Sequence, residues 1–293
     1  MGIDNNSLRF LAEAKKRGVD YSRTATIGRK NYYRLMPSSV RAALVAAGVS
    51  TSSNEVEDFF HSDGVYADGL LRHLGAVPLH SVDYSPYEKA SHIFDMNLPA
   101  PAEMTGAYTT VIDGGSLEHV FNFPQAIANC MNMVAVGGHF IGLSPANNFF
   151  GHGFYQFSAE LFFRIVEPAN GFVTERMLLV EDDQTGRGWF DITDPAAAHE
   201  RVTLMSATPS HLFVLAKKVE QIAPFRVAPY QSDYVANWTV ASHDRPHVPT
   251  PNSAHTAVRD ALKYLVASEA KEWLRRQLFP GPRSRPDHFR RLP

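Results

Sequence analysis

One block constrains the fold of this chain more than any other. Tyr108-Thr-Thr-Val-Ile-Asp-Gly-Gly-Ser-Leu-Glu-His-Val-Phe-Asn-Phe-Pro leads on to Val136-Gly-Gly-His-Phe-Ile-Gly-Leu-Ser-Pro-Ala-Asn. It reads as strand, acidic turn, helix, Gly-Gly turn, strand. An acid and two glycines directly after a strand put a carboxylate and bare backbone at the strand's carboxyl end. Open α/β sheets bind their ligands there.

The rest of the chain extends the pattern. Asn6 to Arg17 has a helical period, with Asn6 or Ser7 as cap and Gly18 as stop. Thr24-Ala-Thr-Ile-Gly28 is a short β-prone run. Pro37-Ser-Ser opens a second helix that ends at Gly48, and Ser50 to Asn54 reads as a polar loop. Tyr66 to Leu74 is a helix closed by Gly75. Pro78 to Val82 is a strand ending at Asp83, and His92-Ile-Phe is a short strand ending at Asp95. Pro124 to Val136 is a helix, His139 to Leu143 a strand, and Ser158 caps a helix through Val166. Phe172 to Val180 and His211 to Ala216 are strands with no obvious helix between them, an antiparallel pair at one edge. Strands alternating with helices predict a mostly parallel, Rossmann-like sheet with helices on both faces.

The predicted division is an N-terminal helical segment with a candidate first strand (1–63), a main domain (64–218) and an extension (219–293). Within the extension, Pro224 to Pro251 reads as irregular. His255 to Leu278 follows a helical period whose apolar stripe packs either on the main domain or on a second copy of the chain as a homodimer.

Composition removes several function classes. The chain has 293 residues, a net charge of −2 and 20% charged residues, with no nucleic-acid footprint. Its single cysteine, Cys130, can make neither an internal disulfide nor a zinc cluster. Cys130 sits beside Met131 and Met133 as core filling, and the absence of disulfides fits a reducing cytoplasm. No signal peptide precedes the first helix. Asn129, Asn132, Gly137, Gly138 and His139 break the most apolar stretch, so no membrane span is expected. His243-Asp-Arg-Pro-His247 has no partner at zinc spacing, so no metal is expected. Ser144-Pro-Ala is not a nucleophile elbow, and no nucleoside-triphosphate loop exists.

Three acids, Asp83, Asp95 and Asp113, therefore stand in order at strand ends. The segment Ala146-Asn-Asn-Phe-Phe-Gly-His-Gly-Phe-Tyr-Gln-Phe-Ser follows the fifth strand and is aromatic and short of charge. His152 or Tyr155 could take a proton from a substrate hydroxyl or amine, and His119, one turn past Asp113, is a third candidate base. Asn147, Asn148 and Phe154 are candidate substrate contacts.

Residues 64 to 218 resemble a class I S-adenosylmethionine-dependent methyltransferase domain. Gly28-Arg29, Asp83-Tyr-Ser-Pro-Tyr-Glu, Asp95-Met-Asn, the Asp113-Gly-Gly block and Asn147-Asn-Phe-Phe-Gly-His-Gly-Phe-Tyr-Gln-Phe-Ser resemble an uncharacterised bacterial group of methyltransferase-like proteins. The resemblance implies that Asp83 and Tyr84 meet the cofactor's ribose, and that Asp95 and Met96 meet the adenine. It implies that Asp113 and Gly114 line the methionine end and the substrate. The family's usual first loop, near Asp-x-Gly-x-Gly-x-Gly, has no counterpart here. Two segments compete for its role: Thr26-Ile-Gly28-Arg29-Lys30, and Ser62-Asp63-Gly64-Val65-Tyr66 preceded by Glu55-Val-Glu-Asp-Phe-Phe. The first is favoured as the strand end, with Gly64 and Tyr66 completing the pocket.

The function expected is methyl transfer from S-adenosylmethionine to an oxygen or nitrogen of a small polar metabolite or sugar. The alternative is a protein of the same fold that does not methylate. That protein would bind a nucleoside-like ligand or act as a dimeric scaffold.

Overall fold

The computed structural model describes residues 2–62, 64–182, 188–199, 201–203, 208–243 and 289–292. Several of its helices begin where a side-chain oxygen satisfies a free backbone N–H. Helix α1 spans Asn5–Lys16, and its cap is Asp4, whose carboxylate accepts from the Ser7 backbone N–H at 2.7 Å. Asn6 and Ser7, expected as caps, are instead buried, because Asp4 stands at the right offset from Ser7. Asn6 Oδ1 accepts from the Trp189 indole N–H at 3.0 Å.

Strand β1 spans Thr24–Ile27, and three helices follow it: α2 (Pro37–Ala46), α3 (Ser53–Ser62) and α4 (Asp68–His73). Sequence reading left the α3 segment without a helix. A signal was present, since Ser52-Ser-Asn-Glu55 is a capping box. Glu55 accepts from the Ser52 backbone at 2.7 Å, and the Ser52 hydroxyl accepts from the Glu55 backbone at 3.2 Å.

Strands β2 (Leu79–Asp83), β3 (His92–Ile93) and β4 (Tyr108–Asp113) come next, then helix α5 (Phe123–Met133) and strand β5 (Val134–Asn147). Helix α5 stops three residues earlier than expected because Val134 already pairs with Tyr108. The Gly137-Gly138 pair is not a turn but a distortion inside β5. Gly137 holds a φ of +86°, and a side chain on Gly138 would collide with the Thr109 carbonyl.

The chain finishes with α6 (Ala159–Ile165), β6 (Phe172–Glu181), β7 (Trp189–Ile192), α7 (Pro195–Ala198), β8 (Ser210–Lys218), α8 (Ser232–His243) and β9 (Phe289–Arg291). Ser158 caps α6 as expected. Helix α8 occupies part of the stretch read as irregular. The helix expected over 255–278 lies outside the described residues.

One nine-stranded sheet results, in the order β3-β2-β1-β4-β5-β8-β6-β7-β9. The first five strands are parallel, and the remaining four run antiparallel to their neighbours. This is the Rossmann-like sheet expected from the sequence, with β1 at the middle of its parallel half. The antiparallel β6–β8 pair is present, but β7 and β9 pair beyond it, so it is not the edge. Cys130 is fully buried in one of two hydrophobic clusters, with Ala25, Ile27, Val111, Phe140 and Phe162. Leu8, Leu11, Leu70, Ile112, Leu143 and Phe213 belong to the other. No helix among the described residues is long and apolar enough to cross a membrane.

One buried charge in the sheet has a measurable consequence. Lys218 is 1% exposed and donates to the Met131 and Val134 carbonyls at 2.9 and 2.8 Å. Burial lowers its pKa from the ordinary 10.5 to about 8. Between those values the unfolded chain binds more protons than the folded one, so this residue's contribution to stability rises with pH. The stability of wild type relative to Lys218→Met is expected to grow by roughly 1–3 kcal/mol from pH 8 to 10.5. Urea unfolding at both pH values checks this; a gap that stays constant or shrinks refutes it.

Candidate active site

Register places the carboxyl ends of β1, β2 and β4 side by side. Ile27 is level with Val82 and with Asp113. Gly28 extends β1 by one bond, donating from its N–H to the Val82 carbonyl at 2.7 Å. The backbone then turns away with a φ of +70° at Gly28, a conformation that costs most residues strain. A cleft of about 520 Å³ opens at this point, lined by Gly28, Asp83, Tyr84, Asp95, Met96 and His119 among others.

Each acid in the cleft is held by its own turn. Asp83 accepts from the Ser85 backbone at 3.2 Å, and Asp95 accepts from the Asn97 backbone at 2.9 Å and side-chain amide at 2.8 Å. Met96 is buried, while Tyr84 is exposed at the rim.

The space above Gly28 is tightly controlled. A Cβ there would lie 2.9 Å from the Ser116 hydroxyl oxygen. Ser116 cannot yield cheaply, because it donates to the Ile27 carbonyl at 2.7 Å and faces the Lys30 ammonium at 3.0 Å. Gly28→Ala is therefore expected to cost about 1–3 kcal/mol of stability through backbone strain and this contact. It should also constrict the cleft floor. Denaturant unfolding is the check, and a variant as stable as wild type would contradict the geometry.

A second cavity of about 320 Å³ is lined by Lys30, Gly114, Phe149, His152, Asp182 and His211 among others. Its apolar walls, Ile112, Leu143 and Phe213, belong to the cluster on the α1 face. The cleft's Ile27, Val82 and Met96 belong to the opposite cluster. The two hollows thus start on opposite faces and converge at the carboxyl edge of the sheet. The wall between them is made of side chains in contact, one from each hollow. Ser116 lines the cleft and Lys30 the cavity, 3.0 Å apart. His119 lines the cleft and His152 the cavity, with ring centroids 4.9 Å apart and planes at 68°.

The wall carries buried charge. Asp113 is fully buried, and one of its oxygens accepts from the Ser116 and Leu117 backbones at 2.9 and 3.3 Å. Its other oxygen has no hydrogen-bond partner among the described residues. Burial raises its pKa, outweighing the nearby Lys30. The same burial lowers that of Lys30, against the pull of Asp113 and Glu118. Glu118 is also fully buried, and neither of its carboxylate oxygens is hydrogen-bonded among the described residues. Burial and then the Asp113 charge push its pKa up to about 8. His119 is lowered, by burial first and then by His152.

Glycine explains how His152 arrives. Phe154 and Tyr155 donate from their backbones to the Glu118 carbonyl at 2.8 and 3.2 Å, tying the loop after β5 to the turn after β4. Gly153, with a φ of +72°, sits where a Cβ would touch the Glu118 carbonyl at 2.8 Å.

The structure thus brings Gly28, Asp83, Tyr84, Asp95, Met96 and His119 into one cleft, and Gly114 and His152 into the adjoining cavity. Asp113 stands behind the wall. Arg29, Tyr66 and Gly64 line neither hollow. Arg29 pairs with Asp68 at 2.7 Å and stacks on the Tyr66 ring at 3.8 Å, bracing β1 against α4. Asn147, Asn148, Phe154 and Tyr155 also lie outside both linings. Asn148 donates to the Thr208 carbonyl at 3.0 Å, Phe154 is exposed, and the Tyr155 hydroxyl donates to the Phe121 carbonyl at 2.6 Å. Sequence reading missed Lys30 and Glu118 as site residues, although both lie inside motifs it singled out.

No protein-family model matches the chain, and no curated protein sequence matches it. Solved structures similar to it include the YcgJ protein from Bacillus subtilis, at 10% identity over 74% of this chain and 100% of that one, with a TM-score of 0.37. A putative sarcosine dimethylglycine methyltransferase from Galdieria sulphuraria is similar at 10% identity over 74% and 85% of the two chains, TM-score 0.38. The [4+2]-cyclase SpnF is similar at 12% identity over 73% and 81%, TM-score 0.37.

Proposed function

We propose that the chain transfers a methyl group from S-adenosylmethionine to an oxygen or nitrogen of a small polar molecule. The observation that carries this reading is the pair of hollows side by side at the sheet's carboxyl edge, parted only by the Ser116–Lys30 and His119–His152 contacts. A group-transfer enzyme needs that geometry, because donor and acceptor must approach without water between them.

The cleft fits the donor. Asp83 offers an acceptor-only group at the end of β2, suited to two adjacent ribose hydroxyls. Asp95 and Met96 offer an acceptor and an apolar surface at the end of β3, suited to an aminated aromatic base. Gly28 leaves backbone bare at the end of β1, where a side chain would intrude on the cleft. When bound, S-adenosylmethionine supplies an electrophilic methyl group. The residues of the chain bind, orient and exclude water around it.

The cavity suits the acceptor. Its volume is that of a single small ligand. Phe149 and Phe213 provide apolar walls, while Lys30, His152, Asp182 and His211 provide polar contacts. His152 Nε2 has no hydrogen-bond partner among the described residues and takes the acceptor's proton.

Calorimetric titration with S-adenosylmethionine and S-adenosylhomocysteine tests the reading. Micromolar binding supports it. No heat at millimolar ligand would sink it in favour of a fold used for another purpose.

A further inference from the structure

Glu118, His119 and His152 converge more closely than a proton relay requires. Their ligand atoms all lie within 4.8 Å of one another. Glu118 Oε1 is 3.4 Å from His152 Nε2 and 3.8 Å from His119 Nε2. These are too long for hydrogen bonds, and Glu118 Oε1, Oε2 and His152 Nε2 are all left without one among the described residues. Two ligands at about 2.0–2.1 Å from one tetrahedral ion stand roughly 3.3 Å apart. The two spacings from Glu118 Oε1 are close to that edge.

A buried carboxyl group with no hydrogen bond among the described residues is costly. One ammonium, Lys30, faces two buried carboxylates, Asp113 and Glu118, and its nitrogen sits against Gly114 and Ser116. Two imidazoles, 37% and 48% exposed, reach Glu118 from opposite hollows and leave a route in for an ion.

We propose that Glu118, His119 and His152 form a binding site for a divalent transition-metal ion, with zinc as the reference ion. Two imidazole nitrogens and one carboxylate oxygen make a three-ligand set of the kind that leaves a coordination position open. The open position lies at the junction of the hollows. A hydroxyl or amine of an acceptor seated there ionises more readily on the metal, with its proton passing to solvent. The ion takes over the task otherwise given to the free His152 imidazole. The site stands on its own geometry and does not require the methyl-donor reading.

The test uses the full chain, stripped with a chelator and dialysed, then titrated calorimetrically with zinc alone. One tight equivalent is expected. Glu118→Gln, His119→Ala and His152→Ala should each weaken it by about 100-fold or more. The two histidine changes remove partly exposed side chains and keep the fold accessible if the buried Glu118→Gln variant does not fold. His80→Ala is the control, because His80 and His92 form another close histidine pair, with centroids 4.9 Å apart. Cobalt substitution should give the intense visible absorption of a four- or five-coordinate centre. The absence of a tight equivalent would overturn the proposal, as would affinity that follows His80 rather than the three ligands. Titrating the same samples with S-adenosylhomocysteine separates the two readings: donor binding without zinc binding refutes the metal site alone.

Discussion

Asp83→Ala is expected to weaken S-adenosylhomocysteine binding by about 10²–10³-fold while leaving the fold intact. The carboxylate stands at the end of β2 inside the cleft, and its one backbone partner is Ser85. A charged acceptor gains about 1.5–3 kcal/mol from each hydrogen bond to a ligand hydroxyl, and two adjacent hydroxyls use both of its oxygens. The loss of both accounts for the expected factor. A partly exposed side chain with a single backbone contact contributes little to folding, so the melting temperature should stay close to that of wild type. Calorimetry on wild type and variant decides the matter. Equal affinities would remove Asp83 from the donor site and, with it, the reading of the cleft as a nucleoside pocket.

The second large effect is on turnover. His152→Ala is expected to lower kcat by about 10²–10⁴-fold, the range associated with losing a group that ionises the substrate. Donor affinity should not move, because His152 lines the second cavity and not the cleft. His119→Ala should behave differently. That ring lines the cleft, so both donor affinity and turnover should fall. The split between these two adjacent histidines is more informative than either value. Identical profiles for the two variants would contradict the placement of one ring in each hollow. Unchanged turnover in His152→Ala would end its assignment to the chemistry.

Much of the cleft was legible along the chain. Asp83, Asp95 and Gly28 each follow a run of β-prone residues, and a strand end is a local property set by side-chain alternation and a breaking residue. Helices α1, α2 and α6 were legible for the same reason. Helix α3 was missed although its capping box is written at Ser52 and Glu55. The outward strands β7 and β9 were not legible. Trp189–Ile192 is only four residues long, and β9 comes from the far end of the chain. Their pairing is a non-local choice that no window of neighbouring residues contains.

The second cavity was harder still. Tyr155, Asn147 and Asn148 have the right chemistry for it, but Tyr155 and Asn148 direct theirs into backbone carbonyls. Phe154 has the right character and faces solvent. Residue type announces what a side chain can do, and packing decides where it points.

The sequence by itself determined the alternating order of strands and helices, the three acids at strand ends, and the histidine between two glycines after the fifth strand. Those follow from periodicity and from the few residues able to end a strand or adopt a positive φ. Only the tertiary structure decided that Glu118 is buried with neither oxygen hydrogen-bonded among the described residues, that Lys30 from the β1 loop lies against Gly114 and Ser116, and that His152 crosses 34 positions of chain to meet Glu118. The parallel register of β1 and β4 sets the first loop against the turn after β4, and the loop after β5 folds back onto that same turn. Burial then removes the water that would otherwise partner these charges, which is why they can act on one another and on what enters between them.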